Sequence, residues 1–289
     1  MMNTPLNSLS LLTIGNSFSD SLKAYFPQVV ESAGCELHLE AASHGGCELH
    51  RHWEYISNEE RDGVYVMYQN HTKHLRDILA SRPWDVVTIQ QASHASWRRE
   101  TYQPFANNIC NYIHHYAPAS EICIQQTWAY RLDDPRIMPG GAWGIDQDEM
   151  YRRLTENYRA VAAELGGLRI IPTGYAVQLA RQQQPHAFVN YPPELLQTMT
   201  WPDLPDQAWA LVGKMRWVKS IETGEMFIHR DTIHLNQRGE YLQACVWFAK
   251  LYHRPVSDIT FIPDCIGDKD AAFLRGIAQQ AVDSFKEQE

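Results

Sequence analysis

No run of about 18 apolar residues interrupts this 289-residue chain, so no helix able to cross a bilayer is expected. The first residues, Met1 to Pro5, lack the basic region and long apolar core of a secretory signal, and the chain as given reads as cytoplasmic. Basic residues are scarce: 25 Lys and Arg stand against 34 Asp and Glu, a formal charge of −9. That balance repels nucleic acid and anionic membranes at long range, so neither is expected as a partner. The six cysteines include no C-x-x-C pair, which argues against a metal-binding or disulfide framework and for buried free thiols. There is no G-x-G-x-x-G and no G-x-x-x-x-G-K-[ST], so nucleotide binding has no support. Repeats, low-complexity tracts and a clear interdomain linker are also missing, and residues 1–289 read as one domain.

What is present is ordinary globular material, 44% hydrophobic and 20% charged. Apolar, β-branched runs at residues 10–14, 85–90, 121–127 and 168–172, and an alternating stretch at 35–41, predict strands. Helical patterns lie between them, notably at 19–33, before Ala80, at 147–165 (closed by Gly166-Gly167) and at 238–252. Alternation of this kind predicts a mainly parallel sheet covered on both faces, a three-layer α/β/α sandwich. Such sheets bind ligands at the carboxyl ends of their strands, here just after Ile14, Ala41, Ile89 and Ile124. Two segments break the pattern, near 131–147 and 184–229. The first is rich in proline, glycine and charge and carries Trp143, the second holds several prolines with Tyr191, Trp201, Trp209 and Trp217, and both are expected to be insertions bordering the site.

Two motifs can carry chemistry. Gly15-Asn16-Ser17-Phe18-Ser19-Asp20 follows the first strand. A glycine there permits a sharp turn, and the helix start beyond it offers N–H groups to a developing oxyanion. The plain alternative is that Ser17 or Ser19 merely caps the helix. Asp231-Thr232-Ile233-His234-Leu235-Asn236 precedes the helix at 238–252. An Asp and a His three apart in a turn can share one side, the carboxylate orienting an imidazole that takes a proton from serine. The alternative is that Asp231 caps the coming helix.

Taken together, Gly-Asn-Ser after the first strand, Gly45-Gly46 after the second and Asp-x-x-His near the end resemble blocks I, II and V of the SGNH/GDSL hydrolase superfamily. Further stretches resemble the DUF4886 domain family within it: Trp84-Asp85-Val86-Val87, Ile89-Gln90-Gln91, Thr127-Trp128-Ala129-Tyr130, Ile171-Pro172-Thr173-Gly174 and His234-Leu235-Asn236. The resemblance implies a flavodoxin-like SGNH fold and a cofactor-free, metal-free serine esterase. Ser17 then matches the nucleophile, His234 the general base and Asp231 its orienting carboxylate. Ser17 and Gly46 (alternatively Gly45) match oxyanion donors. Block III normally carries Gly-x-Asn-Asp, and this chain has Gln90-Gln91-Ala92-Ser93 instead. A glutamine amide donates the same kind of N–H, and related sialate and xylan acetylesterases resemble this substitution. Gln90, with Gln91 as fallback, is therefore expected as third donor.

The resemblance to carbohydrate acetylesterases suggests a small acyl ester, an acetyl group on a sugar or oligosaccharide, as substrate. Trp128 and Tyr130 are the candidates to stack on that sugar, with core packing the equal alternative for Trp128. The competing expectation, raised by the altered block III, is a carbohydrate-binding protein with little or no turnover. His44, His50, His52, His71 and His74 lack a metal-ligand pattern and read as supporting or surface residues. Asp133, Asp134, Asp146, Asp148 and Glu149 suit a loop and a helix start better than a glycosidase carboxylate pair. Acyl length, acceptor and oligomeric state are not specified by these motifs.

Overall fold

A computed structural model describes residues 4–287. In chain order its elements begin with β1 (Ser8–Gly15), the single turn α1 (Ser17–Asp20), α2 (Phe26–Ser32), β2 (Glu36–Ser43), α3 (Leu49–Arg61) and α4 (Leu75–Ala80). Next come β3 (Val86–Ile89), α5 (Ser93–Ser96), α6 (Phe105–Tyr116), β4 (Glu121–Gln125), α7 (Gln147–Glu164) and β5 (Arg169–Ile171). The chain ends with α8 (Thr173–Gln183), α9 (Pro193–Thr198), β6 (Val212–Lys219), β7 (Met226–Leu235), α10 (Gln237–Tyr252) and α11 (Asp268–Ser284). The first five strands form one parallel sheet in the order β2-β1-β3-β4-β5. Helices α2, α8, α10 and α11 pack together on one face, while α3, α4 and α6 group on the other. This is the three-layer α/β/α arrangement that the strand and helix alternation predicts.

The strand order places the site. Because β1 lies between β2 and β3, the chain leaves β1 in opposite lateral directions, opening a crevice at its carboxyl end. The register aligns Gly15 with Ser43 and Ile14 with Ile89, so the segments following β1, β2 and β3 emerge side by side. The central strands are buried on both faces, as a doubly covered parallel sheet requires: Leu11, Leu12, Val87 and Cys123 are fully enclosed.

Three local expectations need correction. The helix expected over 19–33 is broken into α1, a 3₁₀ turn at Ser21–Ala24, and α2. Pro27, in the first turn of α2, cannot donate to a preceding turn, so the helix restarts there. The segment 184–229 is not wholly irregular: it holds α9, all of β6 and the start of β7, paired as an antiparallel ribbon from Val212–Leu235 to Lys219–Met226. Its alternation is visible at the base, where Val212 and Met215 are buried while Lys214 and Arg216 are exposed. Asp231 to His234 accordingly lie in the last turns of pleat of a ten-residue strand, not in a turn.

The end of β7 is seated by close backbone packing. The amide of Asn236 donates to the Leu211 carbonyl, and its side chain caps α10 by accepting from the Gly239 amide. Gly239 presses so closely on Leu211 that a Cβ there would lie 2.2 Å from its carbonyl oxygen. Gly239→Ala must therefore displace backbone rather than a side chain. A loss of about 1–3 kcal/mol in urea unfolding is expected, and a neutral substitution would show that this junction is looser than described.

Candidate active site

The turn after β1 is organised by Asn16, a residue the sequence reasoning did not single out. Its backbone is extended (φ −146°, ψ −161°) and its side-chain oxygen accepts from the Phe18 amide, so Asn16, not Ser17 or Ser19, caps α1. The same oxygen accepts from Gln90 Nε2 at 2.6 Å, and Asn16 Nδ2 donates to the Cys47 carbonyl at 3.0 Å. One buried amide thus ties together the segments that follow β1, β2 and β3. An Asn directly before a helix start, where Asx turns form, was the available sequence signal. Gly15 is needed because Gln90 lies across it: a Cβ would fall 2.5 Å from Ser19 Oγ and 3.1 Å from Gln90 Cδ.

Ser17 opens α1 and is half-buried. Its hydroxyl lies 2.9 Å from Nε2 of His234, delivered by the end of β7. The other ring nitrogen, Nδ1, lies 2.7 Å from Asp231 Oδ2, and Asp231 Oδ1 accepts from the backbone amides of Ile233 and His234. Burial alone would raise the Asp231 carboxyl; the His234 ring and these two amides outweigh it and hold the group well below the usual carboxylate range. A permanently ionised Asp231 at Nδ1 requires the proton on that nitrogen, which leaves Nε2 as the acceptor facing the serine hydroxyl.

Around this triad the remaining residues divide clearly. Gly46 takes a left-handed conformation (φ 62°) within the turn closed by Cys47 N–H donating to the His44 carbonyl. Among the described residues neither the Ser17 nor the Gly46 amide has a backbone acceptor. Gln90 is buried against Asn16, whereas Gln91 is spent elsewhere: its oxygen accepts from Leu49 and Ala92 amides and its nitrogen donates to Thr101.

Trp128 and Tyr130 do not form a sugar platform. Both are enclosed (0% and 1% exposed); Trp128 stacks on Phe18 at 4.1 Å and donates to the Ile233 carbonyl, and Tyr130 bonds Ser93. Phe18 in turn packs at a steep angle against the His234 ring, so Trp128 and Phe18 together brace the end of β7. The carboxylates after β4 also serve β7. Arg131 pairs with Asp133, Arg136 with Asp134, and Asp134 accepts from Thr232 Oγ1 at 2.6 Å, between Asp231 and His234. Asp146 caps α7.

The histidines after β2 divide likewise. His52 is fully buried, with Nε2 3.0 Å from the Gly15 carbonyl and Nδ1 3.0 Å from Tyr68 Oη. Since a carbonyl only accepts, Nε2 carries the proton and Nδ1 accepts from the tyrosine hydroxyl. His71 and His74 bond the Val66 carbonyl and Asp77. Among the described residues no group of three or more His, Cys, Asp or Glu side chains is placed to hold a metal ion.

Burial is the main cause that pushes the His52 imidazole down to about 4, against the Gly15 bond that favours its charged form. The unfolded chain binds this proton below about pH 6.5 and the native state only near 4. The stabilisation is therefore complete above the unfolded value and lost as pH falls through the folded one. Comparing urea unfolding of wild type and His52→Gln, the difference in stability should shrink by about 3 kcal/mol from pH 7 to pH 4. A difference that does not change with pH would contradict a buried neutral His52.

Comparisons with known proteins agree with this architecture. The profile of a domain of unknown function, DUF4886, matches residues 10–191, which include Ser17, Gly46 and Gln90 but stop short of β7. The fold is similar to that of a DUF4886 family protein from Bacteroides uniformis, 24% identical, with a TM-score of 0.70 over 96% of this chain and 95% of that one. It is also similar to a protein from Slackia heliotrinireducens provisionally described as an SGNH hydrolase, 19% identical, TM-score 0.50, covering 84% of this chain and 98% of that one. A comparison with curated proteins finds no match.

Proposed function

The chain belongs to the DUF4886 family and has the fold of the SGNH hydrolases, and from the geometry at Ser17 we propose that it is a serine esterase acting through an acyl-enzyme. The observation that carries the proposal is the unbroken chain Ser17 Oγ–His234–Asp231, with links of 2.9 and 2.7 Å. Three side chains from two distant segments meet in the order that proton transfer from a serine requires. A protein that only bound carbohydrate would have no use for this order, so the chain favours turnover over binding alone.

In this reading His234 Nε2 takes the Ser17 proton as Oγ attacks the ester carbonyl, and Asp231 stabilises the imidazolium. The tetrahedral oxygen is held by the Ser17 and Gly46 amides and by the second N–H of Gln90, whose first is engaged by Asn16. Collapse expels the alcohol, which leaves with the proton from His234; water then enters by the same route and frees the acid.

The substrate we propose is a small acyl ester, an acetyl group carried on a carbohydrate. Two features support it. Gln90 stands where the resembled acetylesterases also carry glutamine. His234 is about a third exposed (36%), so the leaving-alcohol side is open to a bulky polar group. With Trp128 and Tyr130 buried, no aromatic platform is assigned.

Hydrolysis of an aryl acetate tests the reading. Ser17→Ala should reduce kcat/KM by about 10⁴ or more, and Gln90→Ala by about 10²–10³, mainly in kcat. Wild-type and Ser17→Ala rates that cannot be told apart would end the esterase proposal. Across a panel of esters, acetylated sugars should be cleaved faster than long-chain acyl esters; the reverse order would overturn the substrate assignment and leave the triad intact.

A further inference from the structure

Beside the base of the β6–β7 ribbon lies a cavity of about 120 Å³, walled by Phe188, Leu211 and Val212, with Arg181 and Gln147 at its polar side. We propose that this cavity binds a small organic monocarboxylate. Ser17, Gly46, Gln90 and His234 do not line it, so the site is separate from the triad and does not rest on the esterase reading.

The argument begins with an unbalanced charge. Arg181 donates from Nη2 to the carbonyls of Ala129 and Tyr130, and its Nη1 is covered and meets no acceptor among the described residues. Burial lowers its pKa, only to about 10, and Asp148 acts on it only through longer-range attraction, its own carboxylate accepting from Gln178. Arg181 is therefore a guanidinium without a direct counter-ion, an arrangement that a bound anion would relieve. The other cation at the cavity, Arg131, is already neutralised by Asp133 through two bonds. Arg181 is thus the one guanidinium lining the cavity without a direct carboxylate partner among the described residues, matching a monoanion.

Size and lining narrow the ligand further. One water takes about 30 Å³ of liquid volume, so the space suits an anion of a few heavy atoms. The apolar walls favour a carboxylate with a short hydrocarbon tail over inorganic phosphate, which would leave its oxygens unpaired against Leu211 and Val212. Trp209, which completes the wall, holds a left-handed backbone (φ 66°), a strain that a bulky residue keeps only where its surroundings impose it.

Sodium butyrate is the probe, with sodium chloride and sodium phosphate at matched ionic strength as controls, read by thermal unfolding and by calorimetric titration of the full chain. Butyrate at about ten times its dissociation constant should raise Tm by about 3 °C, saturably, and chloride and phosphate should not. Arg181→Met should abolish the response. Ala187→Trp, at an exposed position on the cavity rim, should abolish it too while leaving Arg181 in place, and it decides the matter if Arg181→Met does not fold. No saturable response in wild type, an equal response to all three salts, or an undiminished response in Ala187→Trp would each overturn the proposal.

Discussion

A hydrogen bond between residues 217 positions apart, Ser17 and His234, is the contact on which the rest of this structure depends. Neither partner is placed by its own neighbourhood alone. Ser17 is where it is because β1 is flanked by β2 and β3 and must end in a crevice. His234 reaches it because a separate antiparallel ribbon brings a strand end over that crevice before α10 turns back to the helical layer. The long stretch between 184 and 229, which looks like an interruption of the fold, is what carries His234 to Ser17.

The precision of the contact is supplied by buried polar groups outside the Ser17–His234–Asp231 chain. Asn16 joins the loops after three strands through one amide, His52 holds the Gly15 carbonyl from below, and Asp134 holds Thr232 from the side. Each is buried, and each is satisfied by a partner that belongs to a different element. Buried polar groups of this kind lose more when broken than they contribute when made, which penalises misplacement of the loops they tie. The apolar stack of Trp128 on Phe18 works alongside them by keeping the last turn of β7 and the first turn of α1 at a fixed separation.

Much of this was legible in the sequence, for identifiable reasons. The inner strands were visible because strands covered on both faces read as continuous apolar runs, and the edge strand β2, only partly buried, was visible from its alternation. Ser17, Asp231 and His234 were singled out because Gly-Asn-Ser and Asp-x-x-His, each uninformative alone, together resemble blocks of the SGNH/GDSL superfamily, and the structure brings the three within hydrogen-bond reach. The ribbon was hidden because only its base alternates in burial, while its outer part is exposed on both faces, with Ile221, Met226 and Phe227 in the open. Trp128 was left undecided and Tyr130 misread because an aromatic after a sheet strand looks the same whether it faces a ligand or a neighbouring ring; only the stack on Phe18 and the bond to Ser93 decide. Asn16 lay inside a recognised motif, yet its reach to Cys47 and Gln90 is a tertiary fact. The unbalanced charge of Arg181 was likewise beyond reach, since it depends on which carboxylates are nearby in space.

The central claim is that Ser17 is an activated nucleophile, and covalent capture tests it most directly. Reaction with a fluorophosphonate, followed by intact mass and peptide mapping, should add one adduct per chain at Ser17 in the wild type and far less in His234→Ala. A wild-type protein that stays unmodified, or one labelled equally well without His234, would contradict the account.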